Sequence, residues 1–281
     1  MEKLTEKKYF SGLYFFIIST IFIIFLNEYI NYCVDFVSKN NQIEILKFIL
    51  YSILILLLYL ALEFFRIKTQ IPIVNIRSFF VFIVLAGIIN FSVVPKNFNL
   101  LIEIFIIDIG CIYIIFQICK NFENNPFKWL GLVAFKSKDY KYFYYYFSAW
   151  PLIILWGIIV EYSNIDALKN SNYSEEIVNA LNYNYFSVFI LACIVAPISE
   201  EIIFRGFILK IIRKKYNIQI AIVVNSILFG LIHIEPSAVV PATILGFALS
   251  FIRIKAKSVF ASIIIHSMHN LFALVITFQA L

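Results

Sequence analysis

Residues 196–207 read Ala196-Pro197-Ile198-Ser199-Glu200-Glu201-Ile202-Ile203-Phe204-Arg205-Gly206-Phe207. Two adjacent carboxylates and an arginine stand in a run that is otherwise as apolar as its surroundings. An ionisable side chain at mid-bilayer costs at least about 2.5–3.5 kcal/mol, so such groups mark function by default. That argument holds only if the run lies in a membrane, and the composition puts it there. The chain has 281 residues, 62% hydrophobic, 18% aromatic and only 14% charged. A soluble domain is nearer half apolar and one quarter charged.

Apolar runs place spans at about 9–26, 47–65, 78–94, 99–119, 142–160, 185–212, 217–234, 237–253 and 258–278. Backbone polar groups in lipid must be satisfied within the segment, so the spans are helices. The expected fold class is all-α, a polytopic transmembrane helix bundle of about eight or nine spans. Lys3, Lys7 and Lys8 precede the first run, which is too long for a signal-peptide core and is read as a span that stays. Cys33, Cys111, Cys119 and Cys193 lack metal-type spacing and are expected as buried packing residues.

The net charge of +6 does not make a nucleic-acid site, because the basic residues are scattered through short loops. Eighteen of the 23 Lys and Arg fall in one alternating set of loops, four in the other, and Arg205 lies inside a span. This asymmetry sets the N-terminus in the cytoplasm and the C-terminus outside, in a cell-membrane protein whose first partner is the lipid bilayer. Residues 161–184 then form an external loop with Glu161, Asp166, Glu175 and Glu176. In the first half Glu63, Asn90, Glu103 and Asp108 are isolated polar residues, read as helix-packing groups. The expected organisation is an N-terminal scaffold over 1–184 and a functional helix core over 185–281.

All three histidines fall between 233 and 269, in the quarter of the chain that follows the glutamates. Glu201 and Arg205 are i,i+4 and share a helix face, so they can pair. Glu200 lies about 100° round the wheel and is left out of that pair. His266 and Asn270 are again i,i+4. Three helices thereby offer polar groups to one point: Glu200, His233, and His266 with Asn270. Pro197 weakens the helix one turn before Glu200. A carboxylate in an apolar setting without a full counter-charge suits a general base, a histidine beside it can orient water, and a histidine–amide pair supplies oxyanion donors. These parts suit water attack on a peptide bond. Taken singly each has a plainer reading: a structural ion pair for Glu201–Arg205, a satisfied buried histidine for His233, and packing for His269.

Glu200-Glu201-x-x-x-Arg205, Phe229-x-x-x-His233 and His266-x-x-x-Asn270, with Gly206 after the arginine, resemble the motif series of the CAAX-protease and bacteriocin-processing family of intramembrane proteases. The resemblance covers about 185–278. It implies that Glu200 activates water with His233 as partner, that His266 and Asn270 hold the oxyanion, and that Glu201 and Arg205 support them. It implies an endopeptidase acting on peptides or proteins at the membrane. No cofactor is expected; zinc on Glu200, His233 and His266 is the alternative, although no His-Glu-x-x-His motif is present. Serine-type Gly-x-Ser-Gly and aspartyl-type Gly-x-Gly-Asp sequences are missing as well. Two competing classes stay open on residues alone: a non-catalytic immunity or scaffold protein on the same fold, and a transporter with a broken helix at Pro197.

Overall fold

A computed structural model describes residues 2–36, 42–70, 99–163, 165, 168, 185–233 and 235–279. Its long elements are helices: α1 (Glu2–Phe36), α2 (Gln42–Thr69), α3 (Asn99–Lys120), the short α4 (Pro126–Leu130), a 3-10 turn (Ser137–Phe143) leading into α5 (Tyr144–Tyr162), α6 (Tyr185–Ile212), α7 (Ile218–Leu231), α8 (Pro236–Ala256) and α9 (Val259–Gln279). No strand occurs among the described residues. Among the described residues six segments are long and apolar enough to cross a bilayer: Lys8–Leu26, Ile49–Thr69, Ser137–Tyr162, Tyr185–Ile212, Pro236–Ala256 and Val259–Ile276. The protein is an all-α, multi-pass membrane protein. The expected span at 78–94 and most of the expected loop at 161–184 lie outside the described residues.

One expected span is shorter than its apolar run. The run at 217–234 yields only the 14 residues of α7, about 21 Å of helix. Pro236 opens α8 and holds Glu235 extended (ψ 120°), which closes off the preceding helix. His233 therefore sits in a turn after α7 and not on it.

The chain forms two compact units, Met1–Pro126 and Phe127–Leu281. In the first, α1 packs against α2 and α3, burying Phe15, Ile23, Leu62, Ile115 and Ile118. Glu63 closes an ion pair with Arg66 at 2.8 Å. Cys111, Cys119 and Cys193 are free and buried; the side chains of Cys33 and Glu103, and Asn90 as a whole, lie outside the described residues.

In the second unit α8 is central and packs on α5, α7 and α9. Tyr146, Leu245, Leu249, Ile252 and Ile265 fill its core. The approach of α7 to α8 depends on two glycines. A Cβ on Gly246 would stand 3.1 Å from Ser226 Cα, and one on Gly230 would collide with Thr243 and the Val239 carbonyl. The segment 129–133 ties together the basic C-terminal ends of α6 and α8 and the start of α9. Lys210 Nζ donates to the Trp129 carbonyl, Arg253 Nη2 to Leu130 at 3.2 Å, Val259 N to Gly131 at 2.9 Å and Ser258 Oγ to Val133. Gly131 turns this segment at φ +80°, a left-handed conformation that suits glycine.

α6 is not a uniform helix. Two π stretches, Leu191–Val195 and Ile202–Ile208, flank the α-helical Ala196–Glu201. Pro197 accounts for the first, because it has no N–H to donate and its ring crowds the carbonyl one turn back; widening the turn is one way to absorb that. The second lies between the glutamates and the basic end of the helix. Straight-helix counting sets Glu200 and His266 at different depths. A π turn advances less per residue and reduces that difference.

Candidate active site

The glutamate pair divides cleanly. Glu201 is sealed, with its side chain 0% exposed, and its Oε1 accepts from Arg205 Nη1 at 2.8 Å and from His266 Nδ1 at 3.0 Å. Glu200 keeps 20% of its side chain exposed. Its inner oxygen, Oε2, has no hydrogen-bond partner and faces His266 Nε2 at 3.9 Å. One imidazole thus lies between two carboxylates that are neighbours in sequence.

Arg205 is held as firmly as Glu201. Its Nη2 donates to the Gly246 carbonyl at 3.3 Å, and its guanidinium lies 4.1 Å from the centroid of the Phe229 ring. That ring organises the rest of the site. It meets Phe204 at 5.3 Å, His233 at 5.1 Å and His266 at 5.6 Å, all edge to face. His233 and His266 are therefore brought to one aromatic group. His233 Nδ1 donates to the Phe229 carbonyl at 2.9 Å. A carbonyl only accepts, so in the neutral ring Nε2 carries the lone pair.

Asn270 reaches a different partner. Its Nδ2 donates to the Ala192 carbonyl at 2.8 Å; the amide has a second N–H, which this bond leaves over. His269 turns away from Glu200 towards α5, where its Nδ1 meets the Tyr146 hydroxyl at 3.3 Å and its ring packs on Trp150 at 5.8 Å.

Three participants have no role assigned by the sequence. Phe229 was visible in its spacing to His233, but only as a motif position. Tyr146 and the Gly246 carbonyl have no sequence signature, since each meets its partner across long stretches of chain. A zinc ion would need donors gathered within about 2 Å of one point. Among the described residues no three His, Cys, Asp or Glu groups are so placed. His233 and His266 each donate through Nδ1, which leaves Nε2 as the ring nitrogen that could bind an ion.

The fold and this cluster define a polytopic helical membrane protein with a carboxylate–histidine–arginine centre buried among its last four helices. Residues 182–272 match the family described as Type II CAAX prenyl endopeptidase Rce1-like, and the resemblance read from the three motifs holds over that segment. The chain is 32% identical over 90 residues to "Putative membrane peptidase YdiL" of Bacillus subtilis, covering 32% of this chain and 37% of that protein. It is 36% identical over 80 residues to "UPF0177 protein YxdF" of Lactococcus lactis, covering 28% and 44%. The matched stretches span less than half the length of either relative. No solved structure matches the chain.

Proposed function

We propose that the protein is an intramembrane endopeptidase of the glutamate type, hydrolysing peptide bonds of membrane-associated peptides or proteins. The observation that carries this reading is the asymmetry of the glutamates: Glu201 is sealed and holds both Arg205 and His266 through Oε1, whereas Glu200 keeps 20% of its side chain exposed and sets its Oε2 3.9 Å from His266 Nε2 with no hydrogen bond to the protein. A water within hydrogen-bond reach of both atoms fits that separation.

Glu200 takes a proton from that water as its oxygen attacks the carbonyl carbon of the scissile bond. His233, with Nε2 as acceptor, assists in orienting the water. The oxyanion receives His266 Nε2–H and the second N–H of Asn270. Because Nδ1 already donates to Glu201, donation from Nε2 as well uses the ring with a proton on each nitrogen. When the C–N bond breaks, the leaving nitrogen takes from Glu200 the proton that Glu200 removed from the water, which returns Glu200 to its carboxylate.

In this reading residues 185–281 are the catalytic core and 1–184 the scaffold. The N-terminus is cytoplasmic, the partners are a peptide substrate and the bilayer, and no metal is required. Purified protein and its Glu200→Gln variant, offered the same candidate peptides, test it: cleavage by the variant at the wild-type rate rejects Glu200 as the base.

A further inference from the structure

We infer that Asn270 is a positioning residue that acts through the backbone of α6, closing a hydrogen-bonding gap made by Pro197. In the π stretch Leu191–Val195 the Ala196 N–H donates to the Leu191 carbonyl. The Ala192 carbonyl thereby loses its α-helical donor. Its π-helical donor would be the N–H of residue 197, and proline has none. An unserved carbonyl inside an apolar bundle is costly. Asn270 Nδ2 serves it from α9, 78 positions away, at 2.8 Å.

The consequence is geometric. α9 is fastened to α6 at two points, Asn270 to Ala192 and His266 to Glu201 (3.0 Å). Pro197 and Glu200 lie between these anchors. The weakest part of α6 is thus clamped from both sides, and the clamp holds Glu200 opposite His266 Nε2. The catalytic half of this inference rests on the function proposed above; the structural half does not.

The test is a double-mutant cycle on wild type, Asn270→Ala, Pro197→Ala and the double variant, all as full-length protein in detergent. An alanine at 197 restores an N–H one π turn from the Ala192 carbonyl. If Asn270 works through that carbonyl, Asn270→Ala lowers the melting temperature by about 4 °C, and the double variant recovers most of the loss. Against a peptide that the wild type cleaves, kcat falls about 10³-fold with KM nearly unchanged, and the double variant recovers about tenfold of it, the part lost through the backbone of α6, while the part due to the missing oxyanion N–H stays lost. An Asn270→Ala loss in melting temperature that is equally deep with Pro197→Ala present overturns the inference. Recovery of melting without recovery of kcat overturns its catalytic half and returns Asn270 to the oxyanion alone. A wild type that cleaves nothing defeats the proposed function, while the melting arm still decides the clamp.

Discussion

Glu201 and His266, 65 positions apart, share a 3.0 Å hydrogen bond in which the imidazole donates through Nδ1. That bond sets the direction of the other ring nitrogen, and Nε2 faces Glu200. The two adjacent glutamates therefore serve one histidine in different ways. Glu201 orients it from a sealed position, and Glu200 meets it across a gap.

Neutralising each glutamate should separate these jobs. Glu200→Gln removes a carboxylate that has no salt bridge to the buried arginine. Its activity should fall about 10²–10⁴-fold, the usual value of a general base, with little change in melting temperature. Glu201→Gln should lose both activity and stability, because it leaves Arg205 without its counter-charge. Thermal melting in detergent beside peptide cleavage reads both, and equal melting losses for the two variants would contradict the division.

Arg205 offers a sharper stability test. Both partners of its ion pair are 0% exposed at the side chain. Removing one partner of a buried pair typically costs about 3–5 kcal/mol, while replacing both with apolar groups of similar volume is often nearly neutral. Arg205→Met should be severely destabilised, and Arg205→Met with Glu201→Leu should melt closer to the wild type although inactive. Reversible denaturation in mixed micelles measures both; a double variant no more stable than the single would show that Arg205 is held chiefly by Phe229 and the Gly246 carbonyl.

The site was legible in the sequence where chemistry follows local spacing. Glu201 and Arg205 are one turn apart, and a helix brings such residues together whatever surrounds them. Membrane spans were legible for a similar reason: hydrocarbon demands about 20 apolar residues per helix, and the basic loops alternate. What could not be read was whatever depends on one helix meeting another. The spacing of His266 to Asn270 suggested a joint task, yet His266 reaches Glu201 while Asn270 reaches a backbone carbonyl. That carbonyl is open because of a π turn, and a π turn is a backbone event with no composition of its own. Pro197 was the visible trace of it. The shortness of α7 was hidden too, since the apolar run continues past Leu231 and Pro236 alone hints at the end.

Two glycines in helices predict opposite outcomes for one substitution. Gly230 faces Thr243 and the Val239 carbonyl so closely that a methyl group cannot enter without parting α7 from α8. Gly230→Ala should cost about 1–3 kcal/mol, the range for overpacking. Because Phe229 is the adjacent residue, cleavage should suffer as well. Gly157 on α5 has nothing within 4 Å of a Cβ, and alanine is the better helix former by up to about 1 kcal/mol. Gly157→Ala should be neutral or stabilising. Melting temperatures of the two variants, measured side by side, check the α7–α8 contact directly.

Metal dependence is tested by chelation, and the metal-free mechanism proposed above has a definite expected outcome. His266 Nδ1 is occupied by Glu201 and His233 Nδ1 by its own chain. A zinc site would have to gather both Nε2 atoms and Glu200 to within about 2 Å of one ion, and among the described residues no such group of three is formed. Treatment with a strong chelator followed by desalting should therefore leave peptide cleavage within about twofold of the untreated enzyme, and leave the melting temperature in place. Loss of cleavage that returns on adding Zn²⁺, but not Mg²⁺, would mean that the three side chains regroup around an ion. Glu200 would then be a ligand before it is a base.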